Sequence, residues 1–195
     1  NPYDNSRSPG ASSSGEAALI AAAGSPIGLA SDSGGSLRLP AHYCGVATLK
    51  PTAGRVPLSG HFPRISAMLD PRTQIGPITR SVKDLSLALP LITGIDAFDA
   101  AAVPVPLPNP EDVDLRALRV GYFVEFEGAT PDKDTRRTLE DVVAALAEDR
   151  IVAQEAALPR IEESLAITQV YWSRSHPSNW TEWDTQDETE LSGTE

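Results

Sequence analysis

The sequence predicts an α/β fold, and two observations support that prediction. Residues 118–152 contain a strand pattern, a helix pattern and the start of a second strand, which is the order of an α/β layer arrangement. Residues 1–60 are rich in Gly, Ser and Ala, and glycine punctuates their short apolar runs, as in a buried core where backbones approach closely. The residues alone support α/β and no finer class.

The first half of the chain predicts a helix, a strand, a turn and a second helix. Residues 15–23 favour a short helix packed on small side chains. Residues 27–31 predict a buried strand, and residues 32–36 predict a turn. We expect the second helix to begin at about Arg38 or Pro40.

A further helix is predicted over residues 81–93, where apolar residues recur at helical spacing. Ser81 suits its N-cap, and Asp84 occupies the reciprocal position of a capping pair. The apolar residues of this helix are Val82, Leu85, Leu89 and Ile92.

Residues 99–110 predict an extended surface connector, because alternate prolines exclude helix and central strand. We therefore expect residues 1–98 to form the core that carries the serine clusters described below. Residues 111–174 are expected to continue the same domain. Residues 175–195 hold six acidic residues and no Lys or Arg, which favours a poorly packed or disordered tail.

Beyond the connector, residues 118–123 predict a strand and residues 132–148 a helix with one apolar face. Asp132 and Asp134 suit the start of that helix, where the backbone dipole favours negative charge. We expect Ile151 to begin another strand.

Composition excludes several classes of function. The 195 residues include 16 basic and 27 acidic side chains, and this net charge of −11 argues against a nucleic-acid partner. The single cysteine, Cys44, excludes an internal disulfide, and no apolar run reaches the ~18 residues of a membrane span. Because the chain starts at Asn1 without Met or a secretion signal, we expect a piece of a longer, cytoplasmic protein.

Two clusters rich in serine and glycine, residues 10–15 and 32–41, stand directly against core-like segments. Such clusters are often flexible loops, but this position disfavours that interpretation. Consecutive glycines let several backbone N–H groups converge beside a serine hydroxyl, as in an oxyanion hole next to a nucleophile. A serine nucleophile needs a base, and His42 lies too far beyond Ser36 for direct contact if a helix intervenes.

Five segments together resemble the amidase signature family, whose members hydrolyse amides through a Ser–cis-Ser–Lys triad. The resemblance implies a mixed β-sheet flanked by helices, present here only in part. The segments are residues 8–16, 30–41, 44–45, 49–52 and 74–84.

The resemblance implies a catalytic role for five residues. Ser36 would be the nucleophile that accepts the acyl group. Ser12, in a cis peptide bond, would relay the proton between nucleophile and base. The backbone N–H groups of Ser33, Gly34, Gly35 and Ser36 itself would form the oxyanion hole.

Supporting roles follow from the same resemblance. Ser13 would support the relay by hydrogen bonding, while Asp32 and Arg38 would pair and hold the turn. We interpret Cys44 as a small buried core residue and Lys50 as structural.

The implied reaction is hydrolysis of a small carboxylic amide through an acyl-enzyme, without a metal or organic cofactor. The family's catalytic lysine would lie upstream of Asn1, outside this chain. Residues 60–70, with His61, Phe62 and Met68, are a candidate wall of the acyl pocket or an ordinary loop.

Two alternatives stay open at this point. The chain is a truncated or non-catalytic piece of an amidase-like protein, or it belongs to an amidotransferase-type subunit that works with partner proteins. A homodimer of the full-length protein is a further open possibility.

Overall fold

The computed structural model describes residues 1–62, 70, 72–125 and 130–174. It confirms the α/β class. The elements are α1 (Ser14–Ala21), β1 (Ile27–Asp32), α2 (Arg38–Cys44), β2 (Ala47–Thr48), β3 (Gln74–Thr79), α3 (Val82–Ile92), β4 (Val120–Tyr122), α4 (Lys133–Glu148), β5 (Ala153–Glu155) and α5 (Ile161–Arg174), with 3₁₀ helices at Pro110–Asp112 and Leu115–Ala117. The predicted tail, residues 175–195, lies outside the described residues.

The strands form one antiparallel and one parallel sheet. β3 is central in a three-stranded antiparallel sheet of order β1-β3-β2. Its register pairs Thr79 with Ile27 at one end and Gln74 with Asp32 at the other. β4 and β5 pair in parallel, and α4 supplies the long crossover connection that a parallel pair requires.

The core of the first sheet joins α1, α2 and β3. Because α1 presents small residues, it packs closely on the sheet. The thiol of Cys44 lies in this core, 3.6 Å from the carbonyl oxygen of Pro9, and burial raises its pKa. Cys44 is therefore a core residue, as predicted, and its nucleophilic thiolate form is disfavoured. The fully buried members are Ala17, Ile20, Leu37, Cys44 and Ile78.

The predicted helix starts are confirmed by their caps. Ser81 Oγ accepts from the backbone N–H of Asp84 at 3.3 Å and donates to its carboxylate at 2.8 Å. The carboxylate of Asp132 accepts from the N–H of Thr135 at 2.7 Å, one residue before α4 begins. In both helices the cap satisfies a backbone donor that has no partner within the helix.

The sequence does not predict β3 as a strand, because Gly76 and Pro77 at its centre are typical of turns. The structure explains Gly76 by close approach of the β2 segment. A Cβ on Gly76 would overlap the carbonyl oxygen of Leu49, and Thr48 Oγ1 donates to the carbonyl of Pro77 at 2.8 Å. Helix α5 is also absent from the sequence prediction, and β5 begins two residues later than predicted.

The chain forms two compact units, Asn1–Pro110 and Glu111–Glu195. The proline-rich segment 99–110 lies in the first unit and is fastened to a neighbouring loop. Gly54 O accepts from the N–H of Val103 at 2.9 Å, and the carboxylate of Asp99 accepts from the N–H of Leu58 at the same distance. That residues 111–174 continue the same domain stays a prediction. No helix of the described segments is long and apolar enough to cross a membrane.

The close approach at Gly76 makes a prediction. Gly76→Ala should lower the free energy of unfolding by about 1–3 kcal/mol, because the added Cβ must displace backbone. Gly15→Ala is the matched control, since a Cβ on Gly15 in α1 meets nothing within 4 Å and removing a helical glycine favours folding. Urea unfolding followed by circular dichroism measures both. Equal stabilities of the two variants would contradict the packing described for β3.

Candidate functional site

The two serine clusters lie beside each other at the end of β1. The Gly–Ser loop, residues 33–36, connects β1 to α2, and the Ser-Ser-Ser segment, residues 12–14, leads into α1. The backbone N–H of Ser13 donates to the carbonyl oxygen of Ser36 at 3.3 Å. The side chain of Ser13 also donates to the carbonyl oxygen of Ser31 at 3.4 Å. Two segments that are remote in sequence are therefore held next to each other.

The Gly–Ser loop is anchored by the carboxylate of Asp32, which is fully buried. Its Oδ1 accepts from the N–H of Gly35 at 2.7 Å, and its Oδ2 from the N–H groups of Leu37 and Arg38 at 3.2 and 3.3 Å. The Arg38 guanidinium donates to both oxygens at 2.9 Å. One side chain thus fixes the backbone of the loop and the first turn of α2.

The electrostatics of Asp32 follow from these donors. Burial alone raises the pKa of this carboxyl group, because a low-dielectric surrounding disfavours charge. The Arg38 guanidinium and the three backbone N–H groups outweigh burial and lower the pKa to about 2. Asp32 is therefore ionised and acts only as an acceptor at neutral pH.

The first cluster reaches the loop through an unusual backbone. The peptide bond between Ala11 and Ser12 is cis. Gly10 has a φ of +95°, and a Cβ there would lie 2.8 Å from Cα of Pro40 in α2. Only glycine lets the chain enter the Ser-Ser-Ser segment this close to the helix.

The four amides of the loop differ in their hydrogen bonds. The N–H of Gly35 donates to Asp32 Oδ1 at 2.7 Å. Among the described residues, no acceptor is bonded to the N–H groups of Ser33, Gly34 and Ser36. Gly35 also turns the chain, with a φ of +124°.

One residue that the sequence did not indicate, Thr73, also contacts the loop. Ser33 Oγ lies 2.5 Å from Thr73 Oγ1, and Thr73 donates in turn to Asp70 Oδ2 at 2.7 Å. Thr73 immediately precedes β3 and is fully buried. No local pattern reports this contact, because 40 residues separate Ser33 from Thr73.

Lys50 and His61 form hydrogen bonds with groups other than the hydroxyls of Ser12 and Ser36. Lys50 donates to the carbonyl of Arg72 at 2.5 Å, which supports its structural interpretation. His61 Nε2 lies 2.8 Å from Ser31 Oγ, and neither of these contacts involves Ser12 or Ser36. Of the candidate pocket wall, Phe62 is 74% exposed, and Met68 lies outside the described residues.

The described residues contain no cluster of three or more His, Cys, Asp or Glu that could hold a metal ion.

Comparison with models of protein families identifies the chain. Residues 1–194 match the model described as Amidase. The chain belongs to the amidase family. The family assignment made from residues 8–16, 30–41, 44–45, 49–52 and 74–84 is confirmed.

Curated relatives are similar to this chain along most of its length. A glutamyl-tRNA(Gln) amidotransferase subunit from Macrococcus caseolyticus is 36% identical over 187 residues. The match covers 94% of this chain and 38% of the relative, and the corresponding protein of Geobacillus kaustophilus gives the same values. The chain therefore spans less than two fifths of the length of these relatives.

Solved structures share the fold. A glutamyl-tRNA(Gln) amidotransferase subunit from Thermotoga maritima has a TM-score of 0.77 and 28% identity, covering 98% of this chain and 43% of that one. The peptide amidase PAM bound to the competitive inhibitor chymostatin has a TM-score of 0.68 and 31% identity, covering 82% of this chain and 33% of that one.

The lowered pKa of Asp32 predicts a pH-dependent contribution to stability. Folding lowers this pKa from 3.8 to about 2, so the stabilisation is complete above about pH 4 and fades as the pH falls toward 2. A shift of this size corresponds to about 2 kcal/mol. The difference in unfolding free energy between the wild type and Asp32→Asn should shrink by this amount over that range, measured by urea unfolding. A difference independent of pH would contradict the assigned ionisation.

Proposed function

We propose that this amidase hydrolyses a carboxylic amide through an acyl-enzyme formed on Ser36. The observation that carries the proposal is the anchored Gly–Ser loop. Asp32 consumes the N–H groups of Gly35, Leu37 and Arg38, and this leaves those of Ser33, Gly34 and Ser36 for another acceptor. Three donors beside a serine hydroxyl match what a tetrahedral oxyanion requires.

The reaction proceeds in two steps. Ser36 Oγ attacks the amide carbonyl carbon, and negative charge develops on the carbonyl oxygen, where the free loop amides donate hydrogen bonds. The serine proton passes through the hydroxyl of Ser12 to a base and then to the departing amine. Water then attacks the ester carbon, the carboxylic acid leaves, and Ser36 regains its proton.

The base is proposed to be a lysine outside these 195 residues. The chain has three lysines, at positions 50, 83 and 133. Lys50 is engaged by the carbonyl of Arg72, and Lys83 lies exposed in α3. Lys133 lies exposed at the start of α4. A lysine must be brought to its neutral form to accept the proton, which calls for burial among hydrogen-bonding serines.

The substrate proposed is a small, non-peptidic amide. The net charge of −11 opposes anionic substrates by long-range repulsion, which salt weakens. A cytoplasmic location and a homodimer of the full-length protein belong to the same proposal.

A second candidate function is supported by the relatives. Those 36% identical are named as a subunit of glutamyl-tRNA(Gln) amidotransferase. In that case ammonia released by the same serine chemistry would pass to an acyl group carried by tRNA. Since this chain is acidic, a partner protein would have to bind the tRNA. Ammonia release that depends on an added tRNA-binding partner would favour this candidate.

Labelling of the nucleophile tests the main proposal. A fluorophosphonate probe should add once to the protein, with a P–O bond forming on Ser36 and fluoride leaving, as detected by intact mass. Ser36→Ala should abolish the adduct, because it removes the attacking oxygen. Ser86→Ala, an exposed serine of α3, is the matched control and should label like the wild type.

The experiment is run on the 195 residues and on the same chain extended by its upstream coding sequence. Labelling of the extended chain alone supports a base outside these residues. An adduct that persists in Ser36→Ala would show that the nucleophile is assigned to the wrong residue.

The relay predicts a weaker effect at the other serine. Ser12→Ala in the extended chain should slow acylation by roughly 10²- to 10⁴-fold, the range for loss of a positioned proton transfer. The rate of ammonia release from a small amide measures this. An unchanged rate would exclude Ser12 from the proton path.

A further inference from the structure

The Gly–Ser loop has a second anchor that the implied triad does not include. Ser33 Oγ, Thr73 Oγ1 and Asp70 Oδ2 form a chain with spacings of 2.5 and 2.7 Å. Thr73 is fully buried, and the carboxylate of Asp70 is held by Arg72. This chain of hydrogen bonds links Ser33, the first residue after β1, to the segment that enters β3, and it does not involve Asp32.

Counting protons shows which group donates each of these hydrogen bonds. A carboxylate only accepts, and each hydroxyl has one proton to donate. Burial raises the pKa of Asp70, but Thr73 and Arg72 outweigh it, so the pKa lies below its ordinary value and the group is ionised. Thr73 therefore gives its proton to Asp70, and Ser33 must give its own to Thr73. A chain that ends on a charge has stronger hydrogen bonds than a neutral one.

We propose that Thr73 and Asp70 are positioning residues for the oxyanion amides, acting through the hydroxyl of Ser33. This inference rests on the proposed function. Ser33 carries one of the three free amides, and the next free amide belongs to Gly34. Asp32 holds the loop from Gly35 onward, whereas Thr73 holds its first residue. Both anchors are needed to aim amides that lie between them.

A matched pair of threonines in β3 and its entry tests the proposal. Thr73→Val removes the hydroxyl that holds Ser33 and keeps the side-chain shape. Thr79→Val removes an equally buried hydroxyl at the far end of β3, where it donates to the carbonyl of Ser81 at 2.8 Å. In the extended chain, Thr73→Val should lower the maximal rate of fluorophosphonate labelling roughly 10- to 100-fold, as expected when reacting groups are misaligned. Probe affinity should stay unchanged, and Thr79→Val should label like the wild type.

Two further variants separate positioning from simple loss of stability. Thr73→Ser retains the hydroxyl and should restore most of the rate. In Asp70→Asn, the amide oxygen must face the two Arg72 donors, which lie 3.2 and 3.1 Å from Oδ1, so its NH₂ faces Thr73. The chain then runs in the opposite direction without the charge, and the rate should lie between those of the wild type and Thr73→Val.

A measurement that does not depend on any reaction, the NMR spectrum of the loop amides, distinguishes this inference from the proposed function. In ¹⁵N-labelled protein, Thr73→Val should shift the amide resonances of Ser33 and Gly34, and Thr79→Val should leave them in place. Absence of any Ser36-dependent labelling would overturn the proposed function, while these shifts would still report the anchor. The inference is overturned if Thr73→Val leaves rate and resonances unchanged, if Thr79→Val changes them equally, or if Asp70→Asn matches the wild type in both.

Discussion

The buried carboxylate of Asp32 is the constraint on which the site depends. An isolated charge in this position would be strongly unfavourable. It is tolerated because five hydrogen bonds from Gly35, Leu37 and Arg38 converge on two oxygens. The same five bonds leave the backbone of the Gly–Ser loop little freedom. The buried charge of Asp32 needs these donors, and supplying them fixes the backbone positions of Gly35, Leu37 and Arg38.

Local patterns predict those elements whose causes are local. The helix that begins after Ser81 is found because its cap and apolar spacing lie within one short segment. β3 is missed because its cause is remote. Gly76 and Pro77 suggest a turn in isolation, and only the backbone of Leu49 passing close to Gly76 explains why glycine stands in a central strand. Residues 63–69, part of the expected pocket wall, lie outside the described residues.

The candidate site also has some features that local sequence patterns predict and others that they do not. The two serine clusters and the pairing of Asp32 with Arg38 could be read from sequence, because the residues lie close together within recognisable segments. The use of the Gly35 N–H could not, since four consecutive amides look equivalent until Asp32 selects one of them. The contact from Ser33 to Thr73 depends on strand pairing and has no counterpart in a local pattern.

The charge of Asp32 raises a difficulty that Arg38 resolves. In the proposed reaction, a bare carboxylate this close to Ser36 would repel the oxyanion that forms during acylation. The guanidinium binds both carboxylate oxygens, and its side chain is 57% exposed, so it neutralises Asp32 while remaining solvated itself. The loop amides bonded to the carboxylate point toward it, whereas those of Ser33, Gly34 and Ser36 have no acceptor among the described residues. The ion pair therefore allows a charge to organise the loop without opposing the charge that would develop in the proposed reaction.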